Sequence, residues 1–239
     1  MRTRLNTLGQ PIGAPLPRWK PARRPPRAAI EGRLCTIEPI DPARHGDALF
    51  AAFGEDRDGR LWTYLTAGPF PTRESFDAWM QAKCLGDDPL YHAIVDRRSG
   101  TAIGIASYMR IDRGAGAIEI GNVVFAPRAQ RSTLATEAMY LMARRVFEEL
   151  GYRRYEWRCD SLNAASRRAA ERLGFTYEGL FRQARVYKGR TRDTTWHAML
   201  DLEWPALRSA YETWLSDGNF DAEGRQRETL GALIARLRG

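Results

Sequence analysis

The sequence contains few cysteines and histidines and no long apolar run. Three cysteines (Cys35, Cys84 and Cys159) and three histidines occur among 239 residues. The cysteines lie far apart and are odd in number, so they match neither a metal-ligand spacing nor a disulfide framework, and a reducing compartment is their simplest setting. No apolar segment approaches the roughly 18 residues that a membrane span requires. These absences predict a cytoplasmic chain with no metal site and no membrane partner.

Acidic residues are absent from the first 30 positions. This segment carries seven lysine and arginine side chains and six of the thirteen prolines. Because the whole chain has a formal net charge of +8, the remaining body is close to neutral. A basic tail on a neutral body is a weak electrostatic signature for a nucleic-acid binder, and proline favours an extended backbone. Residues 1–32 are therefore predicted to be a basic, proline-rich arm that is draped over the body or free.

Residues 33–203 alternate between helix and strand patterns, which predicts one mixed α/β (α+β) domain. Apolar alternation predicts strands at 33–40, 90–95, 102–110, 117–125, 154–159, 175–182 and 191–202. Apolar spacings of three and four predict helices at 41–53, 72–85, 134–150 and 163–173. Residues 204–239 are predicted to form a C-terminal helical extension, whose tryptophan-rich helix either packs on the body or forms a homodimer contact.

The segment 118–137, IEIGNVVFAPRAQRSTLATE, holds a strand, a short polar loop and the start of a strong helix. The first N–H groups of a helix have no partner within it and the helix dipole is positive there, so the position favours a phosphate group. The donors would come from Gln130, Arg131, Ser132 and Thr133. Alone, the segment is equally compatible with an ordinary capped helix.

A second segment, CDSLNAASRRAAERLGF at 159–175, delivers polar residues from a strand to the start of an amphipathic helix. EIGNVVFAP, QRSTLATEAM and LNAASRRAAERLGF follow one another at suitable spacing. On these three motifs the chain resembles the GCN5-related N-acetyltransferases (the GNAT superfamily) over about residues 33–203, and it is most similar to their ribosomal-protein N-terminal acetyltransferase branch. The resemblance implies a mostly antiparallel central sheet flanked by helices, acetyl-CoA as the cofactor, and acetyl transfer to an amine.

The family's phosphate loop reads Gln or Arg, two residues, Gly, one residue, then Gly or Ala. Gln130 and Ala135 match this pattern, whereas Thr133 stands where glycine is usual. Glycine there permits close approach of the backbone to the pyrophosphate, and Thr133 would either crowd that approach or add a hydroxyl donor. Strand residues 123–125 would pair with the pantetheine amides, and Asn163 would hold the pantetheine arm. The implied cofactor-binding residues are Val123, Val124, Phe125, Gln130, Arg131, Ser132, Thr133, Leu134, Ala135, Thr136, Asn163 and Ser166.

An aliphatic amine is mostly protonated at neutral pH, so the reaction benefits from a base. Glu119 is the leading candidate, and the resemblance supports its position; a solvated or ion-paired strand glutamate is the alternative. Many family members carry a tyrosine as general acid where this chain has Ala170. The resemblance then favours Ser166 as the proton donor to the departing thiolate, with water as the alternative. A backbone N–H near Val123 or Val124 would stabilise the carbonyl oxygen.

The acceptor side is less defined. Trp62, Tyr64 and Tyr108 would line an acceptor pocket or simply close the core. A basic run at 182–192 surrounds a predicted hairpin, where it would attract an acidic acceptor or a coenzyme phosphate, or be a solvated turn. The acceptor amine stays open between a protein N-terminus, a polyamine, an antibiotic and a small metabolite. A catalytically silent acyl-CoA-binding module is the alternative function, favoured by Thr133 and Ala170.

Overall fold

Ten strands and six α-helices are formed by residues 3–238, the part of the chain that this computed structural model describes; Arg2 of the predicted arm and Gly239 of the predicted tail lie outside it. The strands are β1 (Thr3–Leu5), β2 (Pro11–Gly13), β3 (Ile30–Glu31), β4 (Cys35–Pro39), β5 (Leu90–Asp96), β6 (Thr101–Asp112), β7 (Ala117–Phe125), β8 (Arg154–Asp160), β9 (Thr176–Tyr187) and β10 (Arg190–Leu200). The helices are α1 (Pro42–Gly54), α2 (Arg73–Lys83), α3 (Thr133–Arg144), α4 (Ala164–Arg172), α5 (Trp204–Leu215) and α6 (Leu230–Arg238). None of these helices is long and apolar enough to cross a membrane.

Eight of the strands form one sheet in the order β3-β4-β5-β6-β7-β8-β10-β9, and β1 and β2 pair separately as a hairpin. Every neighbouring pair of the large sheet is antiparallel except β7 and β8. Those two are parallel because α3 follows β7 and returns the chain to the end of the sheet at which β7 began, as a parallel pair requires. The mixed, mostly antiparallel sheet confirms the fold expected from the sequence.

The helix starts follow the capping residues read from the sequence. Asp41 caps α1 by accepting the Ala43 N–H at 2.9 Å, and Thr72 and Ser75 form a capping box at α2. The helix predicted over 134–150 is divided, because α3 ends at Arg144 and residues Arg145–Glu149 form a π-helical turn. Residue propensities do not distinguish the two helix types, so only the tertiary contacts of this turn reveal it.

The two faces of the sheet bury different cores. On one face, α3 and α5 cover a cluster that includes Ile118 and Ile120 of β7. On the other face, α1 and α2 cover a cluster rich in aromatic rings, including Phe76. Because side chains alternate along a strand, Glu119 points towards the α1–α2 face. The tail packs on the first core, where Trp204 and Trp214 are buried, so the structure shows the body-packing alternative for its tryptophan-rich helix.

The first strand of the C-terminal hairpin, β9, extends further than expected. Residues 175–182 were the predicted strand, yet β9 continues to Tyr187. Gln183 adopts a left-handed φ of 49°, and its N–H donates to the Asp193 carboxylate at 2.6 Å. This irregularity, which accompanies a register shift against β10, interrupts the alternation in the sequence while the pairing goes on.

The proline-rich arm lies against the body over residues 19–31. The Trp19 indole donates to the Gly114 carbonyl at 3.0 Å, and the Ala22 N–H donates to the Arg113 carbonyl at 3.0 Å. At the end of this stretch, β3 adds to the edge of the large sheet beside β4. The prolines remove donors from the segment, so its remaining polar backbone groups can bond to the body rather than form their own ladder.

Arg145, in the π-helical turn, fastens this stretch. Its side chain is buried, and its two terminal nitrogens donate to the carbonyls of Ala28 and Ala29 at 2.7 and 2.8 Å. The same guanidinium pairs with Glu149 at 3.2 Å. A buried guanidinium bonded to two carbonyls links the arm to the helix that precedes β8.

We expect Arg145→Ala to lower the free energy of unfolding by about 2–3 kcal/mol, because charged hydrogen bonds are lost and Glu149 loses its partner. Urea denaturation measures this, and hydrogen exchange at residues 22–31 should rise. Arg168→Ala removes an exposed helical arginine and serves as the control, with a change of less than about 0.5 kcal/mol. Equal losses in both variants would contradict the role assigned to Arg145.

Candidate functional site

The sheet opens between β7 and β8. Their parallel pairing runs from Ala117 opposite Arg154 to Ile120 opposite Trp157 and then stops, although both strands continue. Beyond that point β7 stays paired with β6, and β8 with β10. The facing edge of β7 therefore carries backbone groups with no β8 partner in this register. An extended ligand that contains amides can bond to such an edge as an added strand.

The residues predicted to bind pantetheine lie on this edge. Val123, Val124 and Phe125 all follow the last paired position of β7. Val124 is buried in the α1–α2 core, whereas Val123 and Phe125 are half-buried against the α3 side. Their side chains serve the two cores, and the backbone groups of this stretch that do not bond to β6 face the opening.

A β-bulge lies at the mouth of the opening. Ser107 opposes Gly121 and Ile105 opposes Val124, so two residues of β7 face one of β6. Within the bulge Asn122 has a left-handed φ of 52°, and its amide donates to Ser107 Oγ at 2.9 Å. Such a bulge turns backbone groups out of the ladder. The Gly-Asn pair inside a strand was the sequence signal for it, and the sequence reasoning did not use it.

The loop after β7 presents free donors at the start of α3. Ser132 caps the helix, and its Oγ accepts the Ala135 N–H at 3.0 Å. The N–H groups of Thr133 and Leu134 have no acceptor among residues 3–238. Arg131 is held at a left-handed φ of 59°, a strained conformation that is enriched at ligand sites. The turn fits a diphosphate because it combines free N–H groups with the positive end of the helix dipole.

Two other residues of the predicted phosphate loop are already hydrogen-bonded. Gln130 donates to the Phe125 carbonyl at 3.3 Å, and Thr136 Oγ1 bonds to the Ser132 carbonyl at 3.3 Å. Thr136 also accepts from the Arg172 guanidinium at 3.2 Å. Arg172 reaches across from α4, and the sequence reasoning missed it because the two helices meet only in the fold. It places a cation beside the first turn of α3.

Asn163 and Ser166 lie at the start of α4, on the other side of the opening. Asn163 Oδ1 accepts the Ser166 N–H at 3.0 Å. The Ser166 hydroxyl oxygen accepts from the Trp157 indole at 2.9 Å. Because Trp157 is the last β8 residue paired with β7, Ser166 lies at the vertex of the opening, and its own proton is available to donate. Ala170, further along α4, is fully buried and offers no hydroxyl.

Glu119 lies just before the opening and is almost completely buried. Its Oε2 is 2.6 Å from Arg110 Nη1 and 3.1 Å from Arg158 Nε. Burial raises the pKa of Glu119, and the two guanidiniums oppose this by favouring the charged form. The ion-paired alternative therefore holds in this structure, and an incoming ammonium would have to replace an arginine before Glu119 could take its proton.

The same face of β8 and β10 carries further charged and aromatic side chains beyond Glu119. Arg158 stacks on the Trp196 ring, with 3.5 Å between the guanidinium carbon and the ring centroid. Further along, the Tyr187 hydroxyl donates to the buried Asp160 carboxylate at 2.7 Å. Burial, together with the bond to Asp160, raises the pKa of Tyr187 to about 12, so the phenol keeps its proton at neutral pH.

The tip of the β9–β10 hairpin docks on another part of the fold. Lys188 Nζ donates to the carbonyls of Trp62 and Ala67 at 2.8 and 2.9 Å, and Arg190 donates to the Thr63 carbonyl at 2.7 Å. These bonds join the hairpin to the segment between α1 and α2. The basic residues of the hairpin are thus docked at its tip, which the sequence pattern alone did not indicate.

The three predicted acceptor-side aromatics lie in different places. Trp62 is buried and lines a narrow cleft with Asn122 and Val124 of the opened strand, and Tyr64 is half-buried in the adjoining segment. Tyr108 has no exposed surface, and its hydroxyl donates to the Met142 carbonyl at 2.9 Å on the α3 side. Tyr108 is therefore a core residue, and its side chain lies on the opposite face of the sheet from Glu119.

Comparisons with known proteins agree with this geometry. Residues 35–176 match the family model of the acetyltransferase (GNAT) domain. A GCN5-related N-acetyltransferase from Brucella melitensis is 46% identical, with a TM-score of 0.90, and the match covers 92% of this chain and 100% of that one. No curated protein matches the sequence.

Two further solved structures show how far the likeness extends. A protein described as a probable acetyltransferase of the GNAT family from Chromobacterium violaceum is 44% identical, with a TM-score of 0.77 and coverage of 82% of this chain and 98% of that one. The ribosomal-protein-S5-alanine acetyltransferase from Vibrio fischeri is 18% identical, with a TM-score of 0.58 and coverage of 74% and 98%, which shows a shared fold alone. Taken with the opened sheet and the free donors at α3, these matches show that the chain belongs to the GNAT acetyltransferase family.

Proposed function

We propose that this chain transfers the acetyl group of acetyl-CoA to a primary amine by direct attack of the amine on the thioester. The observation that carries the proposal is the opening between β7 and β8, with the free N–H groups of Thr133 and Leu134 beside it. Acetyl-CoA supplies an activated acetyl group. Every other part of the reaction falls to the residues around the opening.

The residues on the α3–α4 side would hold the coenzyme. The N–H groups of Thr133 and Leu134 donate to its diphosphate, and the Arg172 cation near the first turn of α3 adds to the favourable potential there. The free edge of β7 bonds to the pantetheine amides, and Asn163 lies opposite that edge at the start of α4. In this arrangement the bulge residues at Asn122 would be the ones available to the thioester.

The acceptor would enter from the α1–α2 face, where Glu119 lies. Its ammonium replaces an arginine at the carboxylate, and Glu119 then takes one proton directly or through a water. The amine nitrogen bonds to the carbonyl carbon while a backbone N–H of the bulge donates to the carbonyl oxygen. As the carbon–sulfur bond breaks, the nitrogen gives its second proton to water, and the thiolate takes a proton either from water or from the Ser166 hydroxyl, which regains one from water.

No covalent acetyl-enzyme is required by this scheme. Cys159 is buried, and its sulfur lies 3.2 Å from Thr195 Oγ1, within the β8–β10 pair. We further propose that the chain is most similar to the ribosomal-protein N-terminal acetyltransferase branch, because Ser166 matches a position that approaches the coenzyme sulfur in that branch.

A catalytically silent acyl-CoA-binding module is the second candidate. The two arginines on Glu119 favour it, because a base with both partners in place is not free to accept a proton. Titration with acetyl-CoA, followed by an assay of thiol release with mixed amines, separates the candidates. Binding without amine-dependent thiol release would support the silent module, and the absence of any binding would reject both.

Thr133→Pro tests the phosphate turn. Proline at the first helical position removes a free N–H while suiting the helix start, and the extended Ser132 is compatible with a following proline. We expect the Kd for acetyl-CoA to rise about tenfold, since a hydrogen bond to a charged group contributes roughly 1.5 kcal/mol. Isothermal titration calorimetry measures the Kd. Thr133→Ala keeps the N–H and is the control; equal affinity for the proline and alanine variants would contradict the assignment.

Glu119→Gln tests the base. With any amine that the enzyme accepts, kcat/KM should fall about a hundredfold, while the Kd for acetyl-CoA stays unchanged, because general-base catalysis is lost and coenzyme contacts are not. Glu156→Gln removes a neighbouring carboxylate that also pairs with Arg158 and should have a much smaller effect. The assignment fails if both variants reduce kcat/KM equally.

The pH dependence of kcat/KM should follow the ionisation of Glu119. The base must be unprotonated, so activity rises with pH through a pKa that burial has raised. Arg110 favours the carboxylate, so Arg110→Gln raises the pKa of Glu119 further and moves the rising limb to higher pH. The measurement is kcat/KM against pH with an amine that carries no other charged group. Arg168→Gln, at an exposed position, is the control. A shift to lower pH in the Arg110 variant would exclude Glu119 as the titrating group.

A further inference from the structure

The two arginines that pair with Glu119 differ in what else holds them. Arg158 Nε also donates to the Glu156 carboxylate at 3.1 Å, and the Arg158 guanidinium lies over the Trp196 ring. For the Arg110 side chain, Glu119 is the one hydrogen-bond or ion-pair partner among residues 3–238. Arg158 is therefore tied to the sheet at two further points, whereas the Glu119 carboxylate is what holds Arg110.

The Trp196 ring that supports Arg158 is itself held in place. Strand β10 lies between β8 and β9, and Trp196 is opposite Arg158 on one side and Gly179 on the other. The Phe181 ring of β9 stacks on Trp196, with 4.4 Å between the ring centroids. Phe181 thus holds the indole from the β9 side, and the indole offers its π-system to the guanidinium of β8.

Arg110 reaches Glu119 from a strained backbone position. Met109 lies opposite Glu119, so regular alternation would send the next side chain to the other face of the sheet. Arg110 instead has a left-handed φ of 49° and meets Glu119 on this face. The Asp88 carboxylate accepts the N–H groups of Arg110 and Ile111 at 2.8 and 3.0 Å. The backbone is fixed by these bonds, so the side chain can leave Glu119 without moving the strand.

The two arginine side chains also differ in their access to water. The Arg110 side chain is 30% exposed and the Arg158 side chain 18%, beside a carboxylate that is 4% exposed. A guanidinium that exchanges its partner for water loses little free energy, whereas a buried charge left without a partner is strongly unfavourable. Displacing Arg110 therefore costs less than displacing Arg158, which would give up Glu156 and Trp196 as well.

We propose that the ammonium of the acceptor replaces Arg110, and not Arg158, at the Glu119 carboxylate. This inference rests on the proposed acetyl transfer. Arg110 is then a side chain that occupies the ammonium position until the acceptor arrives. Glu156 and Trp196 are positioning residues, because they keep Arg158 on the base while the ammonium is bound.

Two pH profiles distinguish the arginines. The purified enzyme with saturating acetyl-CoA is assayed for thiol release, with the amine that reacts fastest in the mixed-amine assay. The profile of kcat/KM reports Glu119 before the amine binds, and that of kcat reports Glu119 in the complex. The charged groups that bear on this carboxylate are Arg110 of β6 and Arg158 and Glu156 of β8.

Arg110→Gln should move the rising limb of kcat/KM to higher pH, so that kcat/KM at a fixed pH on that limb falls about tenfold. The kcat limb should stay where it is, because Arg110 has already left Glu119 in the complex. Arg158→Gln should move both limbs to higher pH, since this arginine stays on the carboxylate throughout. Arg168→Gln, at an exposed position of α4, is the control and should move neither limb.

Trp196 is tested by two substitutions. Trp196→Leu removes the aromatic face under Arg158 and should move both limbs in the same direction as Arg158→Gln, by a smaller amount. Trp196→Phe keeps an aromatic face and should restore the wild-type limbs. A general loss of stability lowers the amount of active enzyme and does not move a pH limb, so the profiles separate positioning from folding.

A kcat limb that moves in Arg110→Gln overturns the inference, because Arg110 would then remain on Glu119 while the ammonium binds the other carboxylate oxygen or acts through water. Arg158→Gln moving the kcat/KM limb alone also overturns it, by making Arg158 the residue that is replaced. A wild-type kcat without a rising limb removes Glu119 as the base in the complex and overturns it too. In all three cases amine-dependent thiol release leaves acetyl transfer standing. If no amine releases thiol, the proposed function fails, and this inference fails with it.

Discussion

The loss of pairing between β7 and β8 beyond Ile120 and Trp157 is the constraint on which the rest of the site depends. Each strand keeps its outer neighbour, so the sheet can open without leaving either strand unsupported. The opening exposes one backbone edge and brings the starts of α3 and α4 to its two sides. This single separation gives one opening, and the free N–H groups, the Ser166 hydroxyl and the bulge at Asn122 all lie around it. If β7 and β8 were paired along their full length, the same residues would not face a common opening.

A buried carboxylate among arginines sets the electrostatics of the acceptor side. Desolvation alone would favour a neutral Glu119, and Arg110 and Arg158 counteract it. The two arginines thus favour a charged carboxylate at a buried position. In the proposed reaction the ammonium of the acceptor would replace one of them.

Backbone strain at three positions of the sheet is balanced by hydrogen bonds to polar side chains. Asp88 holds Arg110, Asp193 holds Gln183, and Ser107 holds Asn122, each at a left-handed φ. A left-handed backbone is unfavourable for residues other than glycine. The side chain that accepts the hydrogen bond from each strained segment must therefore be held in place by the rest of the fold. On the other side of the molecule, Arg145 joins the arm to the π-helical turn that leads into β8. The arm thereby supports one of the two strands that separate.

The sequence by itself determined the elements, the order of motifs and the chemistry of single positions. Alternation gave β7 its bounds, capping residues placed α1 and α2, and the polar loop before Thr133 indicated a phosphate turn, because these features depend on neighbours along the chain. Only the tertiary structure decided that Tyr108 belongs to the core, that α3 ends in a π-helical turn, and that β9 continues past Gln183. It alone brought Arg172 to Thr136 and Arg158 to Glu119, since these pairs are distant in sequence and their proximity follows from strand pairing and helix packing. Local propensity specifies what each segment can be, and the contacts between segments specify which charges meet.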